Sequence, residues 1–426
     1  MMPYSGICCS TSKVVIVLIS RLPRCSAGTS VPWRNSELAP CTWTATWPGS
    51  AASTFSLNIS IDLCNQSVSA AACDSRALRS RSSCARLALA VDPAAAAAEL
   101  QTFLPAARDG DPGRPAVAQL AAAALTIAAA DGRRWTDGVA TLARAIGAPA
   151  PTRCAVAMAS DSVRSVAIVV AADGRVDGAF VDDRDGAGAV PPVFHAALAG
   201  CADVAVLATA PWLGRDLGLP PALPWWFVLG PTPAPRAAPP RRVIVADTRP
   251  PAWLELPPVG VAIAATAGTD AQVVRGAAAT IAGVAHAATA ATVLEIHAHT
   301  ARTAGSDAPA LALTDGPDGW AATAELVRGW RLAAAPVVLL AECDAAATAR
   351  YEQITWGLPA AFVAAGARAV VAADGAIPDR EAGAVFAALG AAAAAGVAMP
   401  RAVAELRAAK LAADPTSWVR RLVVFQ

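Results

Sequence analysis

Short apolar runs that alternate with helix-length segments constrain this chain more than any other feature. The clearest two are Thr292-Val293-Leu294-Glu295-Ile296 and Val337-Val338-Leu339-Leu340-Ala341. Each is too short for a buried helix and reads as a buried strand. A helix at 321–332 fits between them as a crossover. Such a unit sets two parallel strands side by side with their carboxyl ends level. The pattern recurs. Strands are predicted at 165–171, 175–181, 203–209, 225–229, 242–247, 368–373 and 418–425, with a further element at 260–265 after a loop. Helices are predicted at 93–104, 115–130, 135–146, 269–287, 357–364, 380–395 and 401–412. Asp173-Gly174 between two strand runs fits a tight two-residue hairpin turn. Strands alternating with helices mean an α/β fold, its mainly parallel sheet covered on both faces.

The two leading runs end in chemistry. His297-Ala298-His299-Thr300 follows the first and Glu342-Cys343-Asp344 the second. An imidazole and a thiol at one end of neighbouring strands meet in the crevice that such sheets open at their carboxyl edge. A base takes the thiol proton and the thiolate attacks a carbonyl. A lone histidine after a strand is usually structural, and a lone cysteine is commonly an inert core residue. The joint arrangement is far more specific. A helix opening at Asp344 and running to 350 would lower the thiol pKa through its amide dipoles. His297 lies two positions before His299, so alternation gives them one face; it either orients His299 or simply packs. The His-x-His pair also suits a metal, but a metal hydrolase needs more ligands. Only His195 and His286 remain, so neither a metal nor a cofactor is expected.

Composition excludes other classes. A formal charge of +1 over 426 residues gives no electrostatic case for nucleic acid. No phosphate-binding Gly-x-x-x-x-Gly-Lys loop and no Gly-x-Ser-x-Gly elbow occurs. Residues 1–88 hold eight of the 34 basic residues but three of the 33 acidic ones, and seven of the ten cysteines. They show no sustained period and read as a poorly ordered or non-native N-terminal segment. A helical lead-in is expected at 89–150, a hinge at 149–151 and the main domain at 151–426. Pro-rich 231–240 is a stiff loop. Without any Cys-x-x-Cys pair, Cys154, Cys201 and Cys343 read as isolated thiols of a reducing, cytoplasmic protein. The apolar run 14–19 is far too short to span a bilayer and thin for a signal peptide. Nothing later reads as a membrane span.

These residues carry a family resemblance. Residues 293–300 look like the V-L-H-I-A-T-H-G strand of CHAT domains, the bacterial caspase- and separase-like proteases. Residues 339–346 resemble their L-L-S-A-C-E-T-G strand. Residues 357–371 are similar to G-L-A-R-A-F-L-A-A-G-A-R-S-V-V, 400–411 to S-P-A-E-A-L-R-A-A-Q-L, and 418–425 to the closing W-A-A-F-V-L strand. Arg275-Gly276, Leu313-Thr314-Asp315-Gly316 and the Asp173-Gly174 hairpin fall in the family's order. The likeness spans about 155–426 and is strongest from Arg275 onward.

The resemblance implies a caspase-like three-layer sandwich and cleavage of a protein or peptide substrate. It makes His299 the base and Cys343 the nucleophile, with the backbone amides of Thr300 and Cys343 holding the oxyanion. It also implies an activating protein partner. Three positions depart from the pattern. Thr300 stands in place of glycine, which would cost energy if that backbone needs a positive φ. Glu342 stands where a small residue is usual; it either raises the thiol pKa or is a solvated side chain at a strand end. The loop Val370 to Asp379 lacks the family's tryptophan and carries Asp374 instead. Asp344 and Asp374 are placed on a substrate's path, Asp374 either meeting a basic side chain or making a turn. These departures leave a second reading, a catalytically impaired binding or regulatory module of the same fold.

Overall fold

The computed structural model describes residues 41–45, 55–59, 97–98, 100–101 and 114–426, the last with breaks at 162–163, 182–189, 231–232, 235–237, 267–270, 304–307 and 348–356. The chain divides into two units, 1–100 and 101–426. In the first, β1 (Cys41–Ala45) pairs antiparallel with β2 (Phe55–Ile59). The composition of that segment gives no sign of this pairing. The helix expected at 93–104 lies mostly outside the described residues.

The second unit begins with two helices, α1 (Arg114–Asp131) and α2 (Trp135–Ile146). The chain then builds β3 (Ala155–Ser160), β4 (Ser165–Val170), β5 (Val176–Val181), the short α3 (His195–Leu198), β6 (Val204–Ala208) and β7 (Trp225–Phe227). Gly174, at φ +84, turns the β4–β5 hairpin as the Asp-Gly pair requires. There follow β8 (Arg242–Ala246), α4 (Val261–Thr266), β9 (Ala271–Arg275), α5 (Ile281–Ala288) and β10 (Val293–Ile296). A small antiparallel sheet comes next: β11 (His299–Arg302), β12 (Pro309–Ala312) and β13 (Ala321–Ala322). The chain closes with α6 (Ala324–Arg328), β14 (Val337–Leu340), α7 (Leu358–Ala364), β15 (Ala369–Ala373), α8 (Asp379–Ala394), α9 (Met399–Ala413) and β16 (Leu422–Phe425).

The main sheet has eleven strands in the order β5-β4-β3-β6-β7-β16-β15-β14-β10-β8-β9. Most neighbours are parallel; the β3–β4–β5 meander and the β15–β16 pair are antiparallel. Alternation sends the side chains of each strand to two cores. On β14, Val338 and Leu340 join Val284, Val327 and Phe362 under α5, α6 and α7. Val337 and Leu339 join Phe386 and Val403 under α8 and α9. Each such side chain, fully buried, stabilises the fold by about 1.5–3 kcal/mol. The result is the expected three-layer α/β sandwich. Helices α1 and α2, set apart in the sequence as a lead-in, pack on β3 and β4 of this same sheet. Gly138 of α2 lies so close to Ile168 that a Cβ there would stand 2.8 Å from its Cδ1.

Several expectations change. Residues 269–287 are not one helix: β9 forms first, and α5 starts only at Ile281, capped by the Thr280 hydroxyl accepting from the Gly283 amide. Val273-Val274 belongs to a strand, and Gly276 at φ +55 breaks the run. Alanine's helix preference loses to sheet pairing there. Residues 260–265 contribute the helix α4. The crossover from β10 to β14 is not a single helix. It carries the small sheet, and α6 occupies only Ala324–Arg328, stopped at Gly329. Residues 418–425 hold a 3-10 turn before β16. Cys154 and Cys201 are not isolated thiols but a disulfide, which removes the cysteine argument for a reducing compartment. Among the described residues, no helix is long and apolar enough to cross a membrane.

Candidate active site

Strands β10 and β14 pair in parallel with a constant offset: Val293 lies opposite Val337 and Ile296 opposite Leu340. The Ala341 amide extends the ladder by donating to the Ile296 carbonyl at 2.9 Å. The same offset, carried three residues further, would bring His299 level with Cys343, but the paired register ends at Ile296 and Leu340. The chain leaves the ladder before that point, yet the two segments stay joined. The Thr300 hydroxyl donates to the Cys343 carbonyl at 2.6 Å. Thr300 lies within β11, opposite Leu311, and has no left-handed backbone. Glycine's freedom is therefore not needed there.

His299 is half-buried, and its Nε2 lies 2.8 Å from the Pro257 carbonyl oxygen. A carbonyl only accepts, so Nε2 carries the proton and, in the neutral ring, Nδ1 keeps the lone pair. Cys343 is half-buried and, among the described residues, the free cysteine of the chain. Its Sγ accepts from the Ile377 amide at 3.4 Å and lies 3.8 Å from the Ile377 carbonyl oxygen. No hydrogen bond joins imidazole to thiol among the described residues. The helix expected to open at Asp344 is not there: residues 343–346 form a turn, with Asp344 at φ +55. The stretch 348–350 lies outside the described residues.

His297 neither orients His299 nor shares a ligand with it. It is buried, with Nε2 at 2.6 Å from Glu295 Oε1, and packs edge-on against Phe386 of α8. Arg242 donates to the other Glu295 oxygen at 2.7 Å. Burial alone would push the Glu295 carboxyl up. The hydrogen bonds and charges of His297 and Arg242 together outweigh it and hold the group below the ordinary carboxylate range. A glutamate inside an otherwise apolar strand run was the sequence signal for such a pair, since a buried charge must be partnered. Among the described residues, no group of three or more His, Cys, Asp or Glu side chains converges as metal ligands would.

Glu342 is not solvated. It is 1% exposed, and neither carboxyl oxygen has a hydrogen-bond partner. Burial pushes its carboxyl well above the ordinary range. Asp374 is partly buried and accepts from the Asp216 amide at 3.2 Å. Its carboxyl is raised by burial, against the Arg215 charge and that amide, with the charges of Asp216 and Asp344 adding to the rise. Asp344 is exposed, and its amide donates to the Gly375 carbonyl at 3.0 Å. The two aspartates are thus near enough for the charge of Asp344 to act on Asp374. Pro257, Ile377 and Glu295 are the contributors that sequence reasoning missed. The first two act through backbone atoms, which leave no mark on residue type.

No curated protein matches the chain. Two solved structures resemble it: the Arg-specific cysteine proteinase gingipain R, at TM-score 0.30, and a complex of Porphyromonas gingivalis RgpB pro- and mature domains, at 0.29. Both are 10% identical over 43% of this chain, and the match spans less than half of those chains, 45% and 46%. Residues 230–420 match the model of the CHAT domain. That stretch contains β8 through α9, with His299 and Cys343 inside it, and is similar to a CHAT domain.

Proposed function

We propose that the protein is a cysteine endopeptidase that cuts a protein substrate through an acyl-enzyme. One observation supports this reading: the Thr300 hydroxyl, on the residue after His299, donates to the Cys343 carbonyl, while the Pro257 carbonyl engages His299 Nε2 and leaves Nδ1 as the nitrogen to act as base. The thiol proton passes to His299 Nδ1 and the thiolate attacks the scissile carbonyl carbon. A C–S bond forms, and the carbonyl oxygen takes the electron pair. The amides of Cys343 and Thr300 are the donors proposed to receive it. Among the described residues the Cys343 amide has no other acceptor. As the C–N bond breaks, His299 returns its proton to the leaving amine. Water then gives a proton to His299 and its hydroxyl to the acyl carbon, the C–S bond breaks, and the thiol is restored. Asp344 and Asp374 would stand on the acyl side of the path. The substrate is a folded or extended protein, and release of the Cys343 sulfur from Ile377 is the step an activating partner would promote.

The test is a peptide-library cleavage screen on the full chain, in parallel with Cys343→Ala. Cleavage by the wild type that vanishes in the variant is the expected result. Full activity in Cys343→Ala would remove the proposal. The engagement of Sγ by the Ile377 backbone favours a second reading, a binding module with an idle site. A thiol-reactive peptide probe separates the two. Fast labelling of Cys343 that His299→Ala abolishes speaks against the idle site.

A further inference from the structure

The segment between β8 and α4 supplies more than the carbonyl that holds His299. It is Ala252-Trp253-Leu254-Glu255-Leu256-Pro257-Pro258, apolar except for one residue, and it stays at the surface. Trp253 is 70% exposed and Val261, at its far end, 51%. Exposed apolar side chains grouped on one loop mark a contact surface. Trp253 does not stand alone. It meets the half-buried Trp320 edge to face, with ring centroids 5.7 Å apart.

Two separate routes tie this indole pair to the base. Trp253 is four residues from Pro257, whose carbonyl accepts from His299. The Trp320 carbonyl accepts from the Leu313 amide at 2.8 Å, and Leu313 adjoins Ala312, the register partner of His299 on β12. The pair therefore flanks His299 on the side away from Cys343 and Ile377. Sheet order agrees: Ile377 follows β15 and Cys343 follows β14, whereas His299 follows β10 and Trp253 follows β8. A substrate crossing this edge passes Ile377, then the sulfur, then the imidazole, then the indoles.

Resting on the endopeptidase reading, we infer that Trp253 and Trp320 form a specificity subsite for a large apolar or aromatic side chain on the leaving-amine side of the scissile bond. The imidazole protonates the departing amine, so the polypeptide that follows the cut lies on the imidazole's flank. Indole edges and faces with neighbouring Leu and Pro surface gain most from an aromatic or branched aliphatic side chain. Within the segment 252–258, Glu255 is the one charged residue.

The experiment uses the full chain with peptide libraries varied after the cut, with cut positions read by mass spectrometry. Wild type is expected to favour Phe or Leu over Gly and Asp within the first three positions after the cut by about tenfold or more in kcat/KM. Trp253→Ala should collapse that ratio to below threefold, and Trp253→Phe should keep most of it. Phe180→Ala, at an exposed aromatic residue of the β5 edge, should leave the ratio intact. An unchanged ratio in Trp253→Ala overturns the inference while the endopeptidase reading stands. A wild type that cuts nothing overturns the endopeptidase reading instead. Fluorescence anisotropy on Cys343→Ala then decides the subsite. Labelled peptides bearing Phe should bind at least about tenfold more tightly than their Gly counterparts, and the added Trp253→Ala change should erase the difference. Equal binding of the two peptides ends the inference.

Discussion

The Thr300 hydroxyl donates to the Cys343 carbonyl at 2.6 Å, so the residue after His299 is bonded to Cys343 itself. A glycine at 300 would have no atom to make this bond. Thr300 therefore ties the end of β11 to the turn that follows β14, across the gap where the parallel ladder has stopped.

Removing that tie should loosen the site. Thr300→Val keeps shape but leaves the Cys343 carbonyl without its donor. We expect a loss of about 1 kcal/mol in thermal unfolding and a fall of about tenfold in kcat/KM for any cleaved peptide, since a small misplacement of the nucleophile is costly. Thr300→Ser should stay within about twofold. A Thr300→Gly variant more active than wild type would show that the hydroxyl hinders the site instead of ordering it.

Glu342 gives the protein an unusual pH dependence. Its carboxyl titrates well above the ordinary range when folded because burial penalises the charge. Between the ordinary carboxylate value and the folded value, the unfolded chain has lost this proton and the folded one has not. The contribution is thus fully present below the ordinary value and is lost as pH climbs toward the folded one. Glu342→Gln should remove this slope. Its melting temperature should match wild type near pH 4 and exceed it at pH 8. Parallel melting curves across that range would refute the assignment.

Glu295 works in the opposite sense. His297 and Arg242 hold its folded pKa below the ordinary value. That stabilisation is present above the ordinary carboxylate range and is lost as pH falls through the folded value. Glu295→Gln should cost about 3 kcal/mol at neutral pH, because it leaves a buried imidazole and a largely buried guanidinium without their anion. The acid side of the stability profile should flatten as well. Urea unfolding at pH 4 and pH 7 reads both effects. A loss below about 1 kcal/mol at pH 7 would mean the pair is better solvated than its burial implies.

Residue pattern reveals the β10 and β14 strands, the hairpin at Asp173-Gly174 and the helix Trp135–Ile146, because local periodicity and turn chemistry agree with tertiary pairing there. It misleads where alanine dominates. Around Val273-Val274 a helix-forming composition joins a sheet edge instead, and pairing across 29 residues with Ile244 and Val245 leaves no local trace. The sulfur–imidazole pair is legible as two polar ends of apolar runs, while its supports are not. Pro257 and Ile377 act through main-chain atoms, and the depth of Glu342 depends on what covers the strand end.

Gly214 shows how far that cover matters. It stands at φ +83 in the segment after β6, and a Cβ there would run into the Ala346 carbonyl oxygen. Ala346 belongs to the turn that carries Cys343, and its amide donates to the Ala373 carbonyl at 3.0 Å. Two residues beyond Gly214, the Asp216 amide holds Asp374. One glycine thus lets a remote segment press against the turn that carries Cys343. Gly214→Ala adds a methyl group in a conformation that L residues avoid and against backbone that has no side-chain freedom to yield. The expected cost is about 2–4 kcal/mol, the left-handed penalty plus overpacking. Reactivity of Cys343 toward a thiol probe should change with it, because the turn must shift. Gly214→Ala that melts like wild type and labels at the wild-type rate would show that the segment yields freely and does not set the position of the sulfur.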